Sequence, residues 1–514
     1  MIVGTQQAHC QANPENQMTT HPYTSLENRF RRIGALHEAQ GILHWDMAVM
    51  MPSGAASGRA EQLSEISLVV HEIMNDAETA DLLAAAEADP PTDAHERANL
   101  FEMRRKHVHA TAVEADLVAA LTKASSDCEM CWRAARPAND FAAVSGKLEN
   151  LLALVREQAS AKSEALSCAS YEALMDQYEP GIRESDIDGL FDDLLGFLPG
   201  VLEKVLERQA RGAAPVIPEG PFPVGAQRAL AEEFMKRLGF DFDRGRLDVS
   251  LHPFCGGVPG DVRITTRYSE DDFAHSLMGV LHETGHALYE ANLPEKWRLQ
   301  PAGQARGMAM HESQSLLIEM QLCRGSEFLE FAAPLMREAF GVDAAAWRSD
   351  NLAALYRRVK PDFIRVDADE VTYPFHVILR YRLEKALVAG DLSISELPAA
   401  WNAGMEKLLG IRPPDDRHGC LQDIHWFSGS FGYFPTYTMG ALAAAQIFAA
   451  IRRDNPGLTG AISQGDFSPI TGWCAENINT RASFASTDEI LAEATGQPLG
   501  TAAFRDHLEA RYLA

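Results

Sequence analysis

Apolar residues recur near every 3.6 positions along most of this chain, and each run ends at a polar or Pro/Gly break. The first spans 23–51, with Leu26, Phe30, Ile33, Leu36 and Ile42 on one face, and stops at Pro52. Similar runs predict helices over 59–75, 81–88, 92–123, 139–167 and 171–181, the last closing in a turn. Further helices are expected over 186–211 and 225–238, joined by the Pro- and Gly-rich stretch 212–224. The period changes to two only over 247–252 and 261–268, rich in Val, Ile and Thr, with 253–260 read as the turn between them. That β ribbon either pairs with an extended peptide or simply covers the next helix. Helical spacing then returns over 273–288, 310–323, on to about 360, then 375–388, 393–409, 438–453 and 488–514. With no repeat and no long interior linker, residues 23–514 read as one helical domain behind a polar, patternless segment at 1–22.

Composition narrows the function. The chain has 514 residues, 46% hydrophobic, and a formal net charge of −26. Such acidity argues against nucleic acid and anionic membrane as partners. No stretch approaches the roughly 18 apolar residues of a membrane span, and residues 1–22 lack the apolar core of a secretory signal. Eight scattered cysteines, with Cys128 and Cys131 the one close pair, suit reduced thiols in a cytoplasm.

The chemistry concentrates in Leu281-His282-Glu283-Thr284-Gly285-His286. Positions i and i+4 share a helix face, so His282 and His286 can grip one ion while Glu283, beside it, deprotonates a water. Gly285 is unfavourable inside a helix by about 1 kcal/mol against Ala, which suits a close approach of backbone or substrate. A zinc hydrolase of this kind needs a third protein ligand and keeps one position open. Glu312, in His311-Glu312-Ser313-Gln314 on the next predicted helix, supplies it; Glu290 is the alternative.

These stretches together resemble the carboxypeptidase Taq family of metallocarboxypeptidases. The resemblance rests on the metal motif, His311 to Gln314, His252-Pro253-Phe254, Asp261 to Thr266 and Tyr178-Glu179-Pro180-Gly181. It also rests on Trp45-Asp46 with Met51-Pro52, Ile364-Arg365 through Asp369-Glu370, Gly419 through Trp426, and Phe431 through Tyr437. It covers about residues 23–514. It implies a mainly helical, zincin-like fold with a deep central groove, a homodimer, and release of single residues from peptide C-termini with broad specificity. It implies one Zn2+, or another divalent cation such as Co2+, per subunit. On this likeness Tyr433 and His425 are expected to donate to the oxyanion, with Tyr437 as substitute. Arg365 is expected to hold the terminal carboxylate through its planar fork, with Arg263, Arg412 and Arg417 as rivals. Thr265, His252 and Gln422 are expected along the groove, and Asp369 or Glu370 behind a metal imidazole. Two other readings stay open: a zinc endopeptidase on a similar scaffold, and a non-catalytic peptide-binding homologue. The intact Glu283 argues against the second.

Overall fold

The computed structural model describes residues 21–341 and 345–514; residues 1–20, most of the expected N-terminal segment, and Cys10 lie outside them. The chain is mainly helical. Helices α1 (Pro22–Val49), α2 (Ala56–Asn75), α3 (Ala77–Ala88) and α4 (Ala94–Thr111) share a small core of Leu26, Phe30, Leu83 and Met103. Next come α5 (Ala115–Ala138), α6 (Phe141–Leu166), α7 (Ser170–Met175), α8 (Glu184–Arg211) and α9 (Val224–Leu238).

The continuous run expected over 92–123 is therefore two helices that meet in a turn at 112–114, where Val113 is buried. The helix expected over 171–181 is one short helix, and Asp176 to Gly181 form the turn after it. The β region also differs from its expectation. Strands β1 (Gly245–Val249), β2 (Phe254–Val258) and β3 (Asp261–Thr266) form a sheet in the order β1-β3-β2. β1 runs parallel to β3, with Leu247 opposite Ile264, and β2 runs antiparallel to it, with Cys255 opposite Ile264. The glycine-rich segment read as a turn is thus itself a strand. Its two glycines weaken the local signal, and pairing with β3 supplies what propensity does not.

After the sheet come α10 (Phe273–Ala291), α11 (Met308–Leu316), a π-helical stretch (Leu317–Cys323), α12 (Ser326–Phe340) and α13 (Ser349–Tyr356). The chain ends with α14 (Tyr373–Ala389), α15 (Leu397–Leu409), α16 (Pro435–Asp454), α17 (Leu458–Ser463), α18 (Ser468–Asn477), α19 (Thr487–Thr495) and α20 (Ala502–Tyr512). The single C-terminal helix expected from 488 is α19 plus α20, and α17 and α18 have no counterpart in the sequence reading.

Two large apolar cores organise the body. One joins α5, α6, α8, α14 and α15; the other joins α9 to α12 with the sheet. Helix α16 divides them: Met439, Leu442 and Ala445 enter the first core, Ala443, Ala444 and Ile447 the second. A helix apolar all round must be buried on every side, so α16 becomes the shared wall. α11 packs along it, which puts the candidate third ligand Glu312 at the seam.

Candidate active site

Two glycines let the site assemble. A Cβ at Gly285 would collide with the backbone of Gln314 and Ser315, so the metal-motif helix α10 approaches α11 closely only without a side chain there. A Cβ at Gly440 would stand 2.6 Å from the Glu312 Cβ, so α16 presses on the stem of that glutamate. The start of α11 is tied down by the Tyr178-Glu179 turn. The Met308 N–H donates to the Tyr178 carbonyl at 2.7 Å and the Ala309 N–H to the Glu179 carboxylate at 3.0 Å.

As a result, donor atoms of His282, His286 and Glu312 lie within 4.8 Å of one another. The Glu312 carboxylate is 4.0 Å from His282 Nε2 and 3.7 Å from His286 Nε2. Each imidazole is held from behind. His282 Nδ1 is 3.0 Å from Glu319, and Arg324 donates to the same carboxylate. His286 Nδ1 is 2.6 Å from His311 Nδ1, and His311 Nε2 is 2.9 Å from Glu290. The tautomer that bares His286 Nε2 for an ion puts a proton on its Nδ1, donated to His311, which donates its own proton to Glu290. Glu290 therefore backs a histidine instead of joining the ligand group.

The expectation that Asp369 or Glu370 orients a metal imidazole is not met. Asp369 accepts the backbone N–H groups of Lys360, Val371 and Thr372. Glu370 is taken by His507, Arg511 and Tyr512. Glu319 holds the place instead, on the π-helical stretch, a widened turn of the kind that recurs at functional sites. Its signal in the sequence is only a lone acid in the apolar run Leu316-Leu317-Ile318-Glu319-Met320.

Charge suits the group to a divalent cation. Burial pushes the Glu283 carboxyl up, with Glu312 adding to it, while the His282 charge and the Cys255 backbone N–H pull the other way. Burial likewise raises Glu312, with Glu319 adding to it. Burial opposes a charged His282, yet Glu319 and Glu312 outweigh it and push that imidazole up to about 10. Acids that repel one another around two imidazoles leave a demand for positive charge that a dication meets. Glu283 is 9% exposed and stands beside the group.

The site borders a cavity of about 840 Å³ lined by His282, Glu283, His286, Glu312, Arg365 and Tyr433, among others. Tyr373, Tyr437 and Cys255 line it too. Arg365 is buried; its Nε and Nη2 donate to Asp423 at 3.1 and 2.9 Å and its Nη1 to the Tyr373 hydroxyl at 2.8 Å. Arg380 shares Asp423 at 2.6 Å, and the two arginines hold that carboxyl far below the usual range against the cost of burial.

Other expected site residues lie apart from the cavity wall. His425 stands behind Tyr437, its Nε2 3.1 Å from that hydroxyl, and burial pulls it down to about 4. Arg263 forms a two-pronged pair with Asp261 and covers the Trp45 ring at 4.3 Å. Thr265 is fully buried; its hydroxyl receives the Ser250 hydroxyl and the Phe254 N–H. His252 is exposed, and its carbonyl accepts from Ser250. Gln422 receives the Arg365 N–H and an Arg380 N–H at 2.8 and 2.7 Å, so it supports the arginines from behind. Arg412 and Arg417 make loose surface pairs with Glu406 and Asp415.

The model of the carboxypeptidase Taq (M32) metallopeptidase family matches residues 25–512. Thermostable carboxypeptidase 1 of Thermus thermophilus is 36% identical over 96% of this chain and 98% of its own. Trypanosoma cruzi metallocarboxypeptidase 1 superposes with a TM-score of 0.93 at 40% identity, covering 96% of this chain and 99% of that one. A solved M32 carboxypeptidase of Deinococcus radiodurans gives 0.90 at 31% identity, over 96% and 99%.

Proposed function

Since this chain belongs to the carboxypeptidase Taq (M32) metallopeptidase family and is a metal-dependent carboxypeptidase, we propose that it releases single C-terminal residues from peptides with broad side-chain tolerance. The observation that carries this reading is one cavity bordered by both the His282–His286–Glu312 group with Glu283 and the buried Arg365. His282, His286 and Glu312 would hold one ion, proposed to be Zn2+, whose nitrogen-and-carboxylate set they match. When bound, the ion supplies Lewis acidity at the scissile carbonyl and acidifies water beside it.

The side chains do the rest. Glu283 takes a proton from the attacking water and passes it to the leaving amine; its raised carboxyl suits that return step. Tyr433 or Tyr437, both on the cavity wall, donates its hydroxyl to the oxygen that gains charge. His425 acts through Tyr437, whose hydroxyl lies 3.1 Å from its Nε2. Of the five N–H groups of Arg365, three are used by Asp423 and Tyr373. One remains on each of Nη1 and Nη2, left to donate to the terminal carboxylate. Arg263, with its pair to Asp261, is the weaker choice for that role.

Edge strand β2 carries Phe254 and Cys255 to the cavity beside Glu283, which supports its pairing with an extended substrate. We extend the proposal to a homodimer in the cytoplasm. The seven described cysteines are free, in keeping with a reducing compartment. No helix of the described residues is long and apolar enough to cross a membrane.

The test is a product ladder from one peptide offered as free acid and as C-terminal amide. Stepwise loss of single residues from the acid, with the amide nearly inert, is expected. Internal cleavage of the amide would favour the endopeptidase reading, and binding of the metal-loaded protein to peptide without hydrolysis the non-catalytic one.

A further inference from the structure

A second enclosure, of about 410 Å³, lies between α1, α4 and α6 and shares no lining residue with the metal cavity. Its walls hold more cations than anions. Lys162 of α6 is 4% exposed, and its Nζ donates to the Gln177 amide oxygen at 2.7 Å. Lys106 of α4 donates to the Gln304 amide oxygen. Among the described residues neither ammonium has a carboxylate within ion-pair distance. The nearby acids are already used: Asp176 by Arg105 and His109, Glu102 by Arg105 and Arg306. His109 Nδ1, on the same wall, is buried without a hydrogen-bond partner; with its Nε2–H given to Asp176 it is an acceptor and adds no donor for an anion. His37 is the remaining titratable group on the wall.

A buried ammonium that lacks a counter-charge is costly, and an amide oxygen meets only part of its demand. Burial pulls both lysines down to about 8, with the Arg105 charge adding to the effect on Lys106, while Glu102 acts the other way on Lys106 and Asp176 on Lys162. In a chain of net charge −26, a local excess of cations, Lys162 buried and Lys106 half-buried, is the arrangement that an anionic ligand completes. The remaining wall is apolar, with Phe30, Ile33 and Met74 facing the space. We propose that this cavity binds a small organic oxyanion of the phosphate-monoester type, its head between Lys106 and Lys162 and its apolar body against α1 and α2. No step of peptide hydrolysis uses these residues, and the ligand would tie the N-terminal helices to the body.

The experiment measures thermal unfolding of the full-length, metal-loaded protein in sodium chloride, inorganic phosphate and phenyl phosphate at matched ionic strength. Wild type should gain about 2 °C or more in Tm with saturating phosphate over chloride, since a ligand of the folded state stabilises it. Phenyl phosphate should act at lower concentration. Lys162→Met should lose the response while keeping its metal. Gln177→Glu, which supplies an internal carboxylate to Lys162, should lose it as well. Equilibrium dialysis of phosphate against wild type and Gln177→Glu gives a second reading, of about one bound per wild-type chain, should Lys162→Met fail to fold. Equal phosphate responses in wild type and the variants would place binding elsewhere and overturn the proposal, as would a wild type that does not distinguish phosphate from chloride. Equal potency of the two phosphates would overturn the assignment of the apolar wall.

Discussion

The metal group on α10 and α11 and the arginine cluster around Asp423 border the same cavity, yet their charges are balanced in opposite ways. Around His282 and His286 the carboxyls of Glu283 and Glu312 are pushed up by burial and by acidic neighbours. Around Arg365 and Arg380 the single carboxyl of Asp423 is held far down by two guanidinium groups, and Gln422 and Tyr373 take further donors. The first cluster is incomplete without a cation. The second holds its own counter-charge in Asp423, shared by both guanidinium groups. The metal group is left short of counter-charge, while the arginine cluster carries its counter-charge within itself. Substitution in the first should therefore cost activity and little stability; substitution in the second should cost stability as well.

Glu283→Gln tests the incomplete cluster most severely. The amide keeps the shape but takes no proton, so kcat should fall by about 10²–10⁴-fold with metal retained. Tm should hold or rise, because a buried carboxyl under repulsion has been removed. Paired kcat, metal and Tm measurements check this, and a marked fall in Tm would break the contrast.

Asp423→Asn probes the complete cluster and should reverse the pattern. It leaves two buried guanidinium groups short of their shared carboxylate, at a cost of roughly 3–5 kcal/mol in unfolding free energy. Denaturant midpoints report it. An unchanged midpoint would mean that the arginines are neutralised by other groups.

Arg365→Ala divides the two roles of that residue. Loss of a charge-assisted grip on substrate should cost roughly 2–5 kcal/mol in kcat/KM for a free-acid peptide. The amide form of the same peptide should lose much less. Equal losses on both would make Arg365 purely structural.

The smallest effect belongs to Glu319→Gln, behind His282. Loss of such an outer partner weakens metal affinity by about 10–100-fold. Titration of the metal-stripped protein, with its Tm followed alongside, measures that shift. Full affinity would show that His282 is oriented by its helix alone.

Much of this molecule is legible in local pattern. The helical period, the spacing of His282, Glu283 and His286, and the presence of a carboxylate on the following helix are all local facts, because a helix repeats every 3.6 residues wherever it packs. The family resemblance, carried by short stretches scattered from Trp45 to Tyr437, implies the mainly helical fold and the carboxypeptidase activity. Other features were decided only by contacts distant in sequence. β2 is a strand because β3 pairs with it, against its own glycines. Glu319 backs His282, and Glu370 does not, because a π turn brings the first to the imidazole while the C-terminal helix claims the second. Thr265 and Gln422 are drawn from the groove into supporting roles by bonds to Phe254 and Arg365. Local sequence sets which side chains share a face, since that follows from backbone geometry; which polar partner each one meets depends on long-range packing, because a buried donor or acceptor must be satisfied by whatever the fold brings within reach.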